Sequence, residues 1–415
     1  MAGLKVEGDC AQINNKQLEL IKSVIEKRGF NNNKVIIEPL GKTGDNYMAI
    51  VKRVKVDDGK GGFFKMVAKL APQNEVQRKF GNAEVIFRNE HILYTKVLPK
   101  YTQLEKTYDI PLEDRLRYPV CYGSFDEAPN EVILLEDLNE SNFEMLSRFE
   151  PLNDDCVRYI IRNLVQLHSL GFALKYKEPE VFNEFKSTLC DMWSNVENFE
   201  DIMALFKTME LGAMNLLESD YHKKAIQGAI MNYFHDFGKM CKSDMDSKHL
   251  IIHHGDSWTN NFLFKFDVSI SFLIDYQIAK AANPVVDLLF MISICTEYES
   301  RKEHYYKWID YYHSELDKAL SNYGLKSNFV YSKDQFEVDL KRYGKMVFGL
   351  TIFMIGIIAL KPEEAIIMKE AMLNVDIEAM ATRAGAANSK DPETVAIYRK
   401  KIEDVVNSYH DFGLL

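Results

Sequence analysis

The chain has 415 residues, 47% of them hydrophobic and 27% charged, proportions that suit a globular protein of two or three lobes. Lys and Arg number 51 against 61 Asp and Glu, a net charge of −10, which argues against a nucleic-acid binder with its basic face. The six cysteines lie far apart without C-x-x-C spacing, so neither a zinc ribbon nor a disulfide framework is expected, and reduced thiols point to the cytoplasm.

In chain order, the opening "MAGLKVEGDCAQINNKQ" has no apolar run, so no secretory leader is expected. Leu18, Ile21, Val24 and Ile25 then recur at helical spacing within Asn15–Arg28, and Gly29 supplies the stop. Strands are predicted at Val35–Leu40, Tyr47–Val56 and Phe63–Leu70, the last after the turn "DDGKGG". A helix of about two dozen residues, ending before Pro99, follows. Two short strands, Pro119–Phe125 and Glu131–Glu136, close the strand-rich part. Helical patterns dominate beyond it, apart from one hairpin between residues 250 and 275. The composition shift predicts a helical segment over 1–30, a first lobe over 31–138 and a second over 139–415. Met346–Leu360, "MVFGLTIFMIGIIAL", is apolar all round but shorter than the ~20 residues of a membrane span. A buried core helix is expected there, with the wall of an apolar pocket as second choice.

The hairpin carries the densest polar pattern. Phe262–Phe266 and Ile270–Ile274 are equal apolar arms around Asp267-Val268-Ser269, so Asn261 and Asp275 should meet at the open end. Cross-strand neighbours stand roughly 5 Å apart at Cβ, close enough to share one cation. One carboxylate and one amide oxygen suit Mg²⁺, which takes its other ligands from water and phosphates. For such a pair alone, polar caps on a hairpin mouth are the simpler reading. Asp256, five residues before Asn261 in "HHGDSWTNN", shifts the balance. H-x-D-x-x-x-x-N followed by a hairpin and Asp matches phosphoryl transfer to a hydroxyl: one carboxylate takes the proton, and Mg²⁺ offsets the phosphate charge.

Upstream, Lys69 ends the apolar strand "FFKMVAKL", and Glu90 falls within the stripe Ala83, Ile86, Phe87, Tyr94 and Val97. A carboxylate on a buried face needs a cation, and Lys69 is the natural partner; taken alone, an exposed glutamate at a widened stripe is an equal alternative. "GKTGDNY" (Gly41–Tyr47) is glycine-bearing but is no Walker A motif, because Ile36 stands where that motif needs glycine.

A glycine-bearing hairpin, strand lysine, helix glutamate, "LLEDL", "HGDSWTNN" and "LIDYQ" follow the order of the protein-kinase-like fold. More narrowly, the chain resembles the insect ecdysteroid-kinase-like family, related to choline kinases and aminoglycoside phosphotransferases. The resemblance implies an α+β, two-lobed kinase-like fold: an N-terminal antiparallel sheet lobe and a larger, mainly helical C-terminal lobe. It implies ATP and Mg²⁺ as cofactors, Asp256 as catalytic base, and Asn261 and Asp275 as Mg²⁺ ligands. Lys69 would contact the ATP phosphates with Glu90 holding it, Gly41 and Gly44 would belong to the covering loop, and Glu136, Asp137 and Leu138 would form the adenine hinge. Tyr276-Gln277 after the metal aspartate, in place of Phe-Gly, and the degenerate covering loop depart from the kinase pattern.

Only about a dozen residues separate Asp275 from Asp287, too few for an activation segment and a peptide platform, so the expected partner is a small-molecule alcohol and not a protein. Asp287 could brace the catalytic loop, but capping its own helix is the preferred expectation. Met346–Leu360, with Met368 and Met372 nearby, suits a steroid or other lipophilic alcohol. The alternatives are a choline-like cationic alcohol, for which aromatic and acidic stretches such as "DMWSNVENFEDIM" and "EYESRKEHYYKWIDYY" could serve, or a kinase-fold ligand binder without catalysis. His254 is expected to brace the loop, His253 to pack, and His168 to end an apolar helix as a satisfied core or C-terminal histidine. The sequon at Asn139 is discounted, since a glycan there would obstruct the hinge.

Overall fold

A computed structural model of the protein describes residues 4–41, 48–192, 199–235, 244, 246–373, 389 and 391–415. Its first lobe is a six-stranded sheet in the order β1-β2-β3-β4-β6-β5, with β1 Lys5–Gly8, β2 Lys34–Pro39, β3 Ile50–Asp57, β4 Phe63–Leu70, β5 Cys121–Phe125 and β6 Val132–Glu136. All neighbours are antiparallel except β1, which adds a parallel edge to β2 and lies in the stretch expected to be helical. Helix α1, Asn15–Lys27, starts on a capping box between Asn14 and Gln17.

Strand alternation divides this lobe into two faces. Val54 and Val56 of β3 join Met66, Ala68 and Leu70 of β4 in a small core against Ile21, Val24 and Ile25 of α1. The opposite parity, Val51, Val67 and Lys69, faces the cleft, with Val51 directly across from Lys69.

The helix predicted to stop before Pro99 runs past it. α2 (Glu75–Phe80) and α3 (Ala83–Ile92) lead into a π turn at Leu93–Val97 and then α4 (Leu98–Thr107), with Pro99 in its first turn. Proline lacks an N–H and its ring crowds the carbonyl four residues back, and the wider π turn absorbs that misfit.

The second lobe is mainly helical. α5, Asp154–Lys177, is capped by Asn153 and carries Asp154 and Asp155 at its start and Lys175 and Lys177 at its end, as the helix dipole favours. Helices α6 Pro179–Thr188, α7 Phe199–Leu216, α8 Asp220–Ile226, α9 Val285–Cys295, α10 Tyr298–Ser321, α11 Ser327–Val330, α12 Lys333–Ile358, α13 Pro362–Leu373 and α14 Pro392–Asp411 follow. α9, apolar all round, is buried along its length among α5 and α12. The aromatic stretch of α10 faces the same core through Tyr305, Trp308 and Tyr312, while Tyr306 is exposed. Among the described residues no helix is long and apolar enough to cross a membrane.

Two small sheets carry the polar loop. β8 Ile251–His253 pairs with β11 Lys280–Ala282, and β9 Phe262–Lys265 pairs with β10 Ile270–Leu273 and with β7 Glu144–Met145. The hairpin arms are four residues long and not five, because Phe266–Val268 curls into a 3₁₀ turn that ends on Ser269 with φ +54°. Register therefore sets Asn261 opposite Ile274, whose N–H donates to the Asn261 carbonyl at 3.0 Å. Asp275 lies one residue further out.

Candidate active site

Lys69 sits at the centre of a buried charge cluster. Its Nζ lies 2.5 Å from Glu90 Oε2 and 2.6 Å from Asp275 Oδ1, with Gln277 Oε1 at 3.4 Å. Strand parity brings the lysine to the cleft, and α3 brings Glu90 to meet it; both are buried, Glu90 to 1% exposure. Burial opposes the ammonium, but the charges of Asp275 and Glu90 outweigh it and raise the Lys69 pKa. One ammonium is shared by two carboxylates, so burial and the charge of Asp275 push the Glu90 carboxyl upward against the pull of Lys69. With both carboxylates ionised, the cluster carries one excess negative charge beside the cleft, where a cation would be welcome.

Asp275 adopts φ +67°, a left-handed conformation that costs a non-glycine residue free energy and that Asp tolerates better than most. It turns the carboxylate out of the hairpin toward Lys69. Asn261 donates from Nδ2 to the Asp256 carbonyl at 2.7 Å and to Asp256 Oδ2 at 2.9 Å. The amide nitrogen is thereby committed to Asp256, leaving the amide oxygen as the acceptor end. Asp256 itself is 9% exposed. Burial and the neighbouring Asp275 charge push its pKa up to about 7, opposed by hydrogen bonds from Asn261 and Trp258 and by Lys69.

The loop that presents Asp256 is braced from below. Gly255 has φ +85°, and a Cβ there would stand 2.8 Å from the Ile278 carbonyl oxygen, so the backbone can pass only as glycine. Asp287 was expected to cap its own helix. Instead its carboxylate accepts the N–H groups of His254 at 2.7 Å and Gly255 at 2.8 Å, with His168 Nε2 at 3.1 Å and His253 Nδ1 at 3.3 Å. These contacts outweigh its burial and hold the carboxyl well below the usual range. The reason is tertiary: α9 aims its first turn at the loop, and two loop N–H groups have no partner nearer. His254 braces the loop as expected, accepting from Asp256 N–H at Nδ1 (3.1 Å), which leaves Nε2–H to donate to the Ile274 carbonyl at 2.9 Å. His168 is satisfied in the core by Tyr312 and Asp287, within α5 and not at its end.

Lys69, Glu90, Asp256, Asn261 and Asp275 all line one cavity of about 510 Å³ between the lobes. Gly41, Glu136, Asp137 and Leu138 line it too, whereas Gly44 lies outside the described residues. The Asp137 side chain, which sequence reasoning left without a task, accepts from Arg53 Nε at 2.5 Å and so ties the sheet roof to the lobe connection. The other end of the cavity is apolar: Met192 after α6, Leu205, Phe206 and Met209 of α7, and Phe353, Met354 and Ile357 of α12. The apolar run Met346–Leu360 therefore fills both expected roles, core on most sides and pocket wall on one. The side chains of Met368 and Met372, and most of "DMWSNVENFEDIM", lie outside the described residues.

The donor set fits Mg²⁺ and does not resemble a transition-metal centre. Among the described residues no group of three or more His, Cys, Asp or Glu side chains converges as metal ligands. One carboxylate and one amide oxygen on the same cavity as Lys69 match an ion that keeps waters and binds substrate phosphates.

Solved structures that share features of this fold include a Plasmodium vivax ethanolamine kinase, 13% identical over 89% of this chain and 81% of that one, with a TM-score of 0.41. An aminoglycoside 2′-phosphotransferase in complex with GDP is 11% identical over 95% and 99% of the respective chains, with a TM-score of 0.42. Such distant likenesses carry nothing about substrate. Comparison with curated proteins gives no match. The sequence pattern of the ecdysteroid kinase-like family, by contrast, matches residues 43–325, from between β2 and β3 to just past α10, and the chain belongs to that family.

Proposed function

We propose that the protein is an ATP- and Mg²⁺-dependent small-molecule kinase that phosphorylates a hydroxyl of a lipophilic alcohol, such as an ecdysteroid or a xenobiotic. One observation carries the reading: Lys69, Asp256, Asn261 and Asp275 open on a single cavity whose far end is lined by Met192, Phe206, Met209, Phe353 and Ile357.

In this reading Lys69 holds the ATP phosphates and Glu90 keeps its ammonium aimed into the cleft. Gly41 covers the phosphates, and the backbone of Glu136–Leu138 receives adenine. Asn261 and Asp275 would hold Mg²⁺, which supplies charge neutralisation on the phosphates. Asp256, with a pKa lifted towards neutrality, accepts the proton of the acceptor hydroxyl. The hydroxyl oxygen bonds the γ-phosphorus, and the bond from that phosphorus to the departing ADP oxygen breaks. The protein contributes position and fixed charge.

The rival readings fit less well. For a cationic alcohol, the α7 and α12 residues that line the cavity, Leu205, Phe206, Met209, Phe353, Met354 and Ile357, offer two aromatic rings but no carboxylate. A non-catalytic binder needs none of the four polar residues that share the cavity. The discriminating experiment incubates the protein with Mg²⁺, γ-¹⁸O-labelled ATP and either ecdysone or choline. A labelled ecdysone phosphate by mass spectrometry is expected; labelled phosphocholine alone would overturn the lipophilic reading, and no transfer to either or to a metabolite extract would overturn the kinase reading.

A further inference from the structure

Glu90 is not the only polar side chain that α3 buries. Asn89, the residue before it, is 0% exposed. Its carboxamide pairs with both backbone polar groups of one residue of the other lobe: Nδ2 donates to the Cys190 carbonyl at 2.8 Å, and Oδ1 accepts the Cys190 N–H at 3.0 Å. The same Nδ2 lies 3.4 Å from the carbonyl oxygen of Gln277, two residues beyond Asp275. At the start of the helix, Asn82 donates from Nδ2 to the Met192 carbonyl at 2.7 Å. Between these two grips, Asp191 Oδ2 stands 3.0 Å from Lys280 Nζ on β11.

The strap Cys190–Met192 is thus held at both ends by the helix that carries Glu90, and in the middle by the strand that follows Asp275. Met192 forms part of the apolar cavity wall with Leu205, Phe206 and Met209. A buried carboxamide that satisfies both backbone groups of one residue cannot release it without leaving donors and acceptors unmet. Helix and strap therefore shift together. Because Asn89 and Glu90 are consecutive on one helix, any rotation that moves Glu90 away from Lys69 also pulls on Cys190.

We infer that Asn89 and Asn82 are positioning residues that couple the Lys69–Glu90 pair to the apolar wall containing Met192, so that nucleotide bound at one end of the cavity steadies the wall at the other. This inference rests on the kinase reading. Coupling of this kind is reciprocal, so a ligand packed on Met192 equally favours the helix position that holds Lys69.

Hydrogen–deuterium exchange of the peptide covering residues 187–192 tests it, with and without saturating Mg²⁺ and the non-hydrolysable ATP analogue AMP-PNP, saturation being checked by calorimetry. In the unmodified protein the analogue is expected to slow exchange there about fivefold or more, the lower end of common coupling strengths. Asn89→Ala and Asn82→Ala should still bind the analogue but show less than about a twofold effect at 187–192. Asn82 is only half-buried, so its variant decides the matter alone if Asn89→Ala fails to fold. A purely structural role would change basal exchange but leave the nucleotide-induced slowing intact, and that result overturns the inference. So does analogue binding with no slowing in the unmodified protein. Absence of analogue binding would instead overturn the kinase reading, and the coupling with it.

Discussion

Truncating Asp287 to alanine should unfasten the loop that carries Asp256. The carboxylate is 1% exposed and accepts two backbone N–H groups, those of His254 and Gly255, beside the imidazoles of His168 and His253. Its removal leaves both N–H groups buried without a partner, at about 1–3 kcal/mol each, so a loss of about 2–6 kcal/mol is expected. That is a large part of the ~5–15 kcal/mol that holds a typical domain together. Urea denaturation followed by tryptophan fluorescence and circular dichroism measures it; Trp258 is close to the affected loop and Trp308 reports the core. The pH dependence gives an independent check. The folded Asp287 pKa is depressed, so its stabilisation is present above the ordinary aspartate value and is lost as pH falls through the folded value. Asp287→Ala should therefore converge on the unmodified protein in acid and diverge from it near neutrality. A loss under about 1 kcal/mol near neutral pH, within the range of an ordinary surface change, would refute the bracing role.

Asp256→Asn should lower turnover by about 10²–10⁴-fold while Mg²⁺·ATP affinity, measured by calorimetry, stays within a few-fold; full turnover would remove Asp256 as the base. Asp275→Ala should abolish the Mg²⁺ dependence of ATP binding, and an unchanged dependence would reject it as a metal ligand. Ile357→Asp places a carboxylate in the apolar end and should raise the KM for a lipophilic alcohol by at least about tenfold, with ATP affinity unaltered. Glu105, buried and bonded to the Leu116 N–H, has its carboxyl pushed up to about 7 by burial. A raised pKa means stability that is present in acid and lost as pH rises through about 7. Glu105→Gln should flatten the melting temperature between pH 5 and 8, and an unchanged pH profile would dismiss the assignment.

Much of the site was legible in the chain because its parts are local. His254, Asp256, Asn261 and Asp275 fall within one loop and one hairpin, whose apolar arms announce themselves by periodicity. Lys69 and Glu90 lie on β4 and α3 with only the short α2 between, and the parity of β4 with the stripe on α3 shows which face each occupies. The hairpin register was off by one, because the curl at Phe266–Val268 depends on backbone geometry that no alternation encodes.

By itself, then, the sequence determined which side chains are buried and which short stretches hold polar groups against an apolar background, since both follow from periods of 2 and 3.6 residues. It could not say what stands on the other side of a buried face. Asp287 reaches a loop some thirty residues away, Asn89 grips Cys190 across 101 positions, and the apolar end of the cavity is assembled from α7, α12 and the strap after α6. Those pairings arise when helices pack and buried polar groups must find partners wherever the fold brings them, a condition that only the tertiary structure resolves.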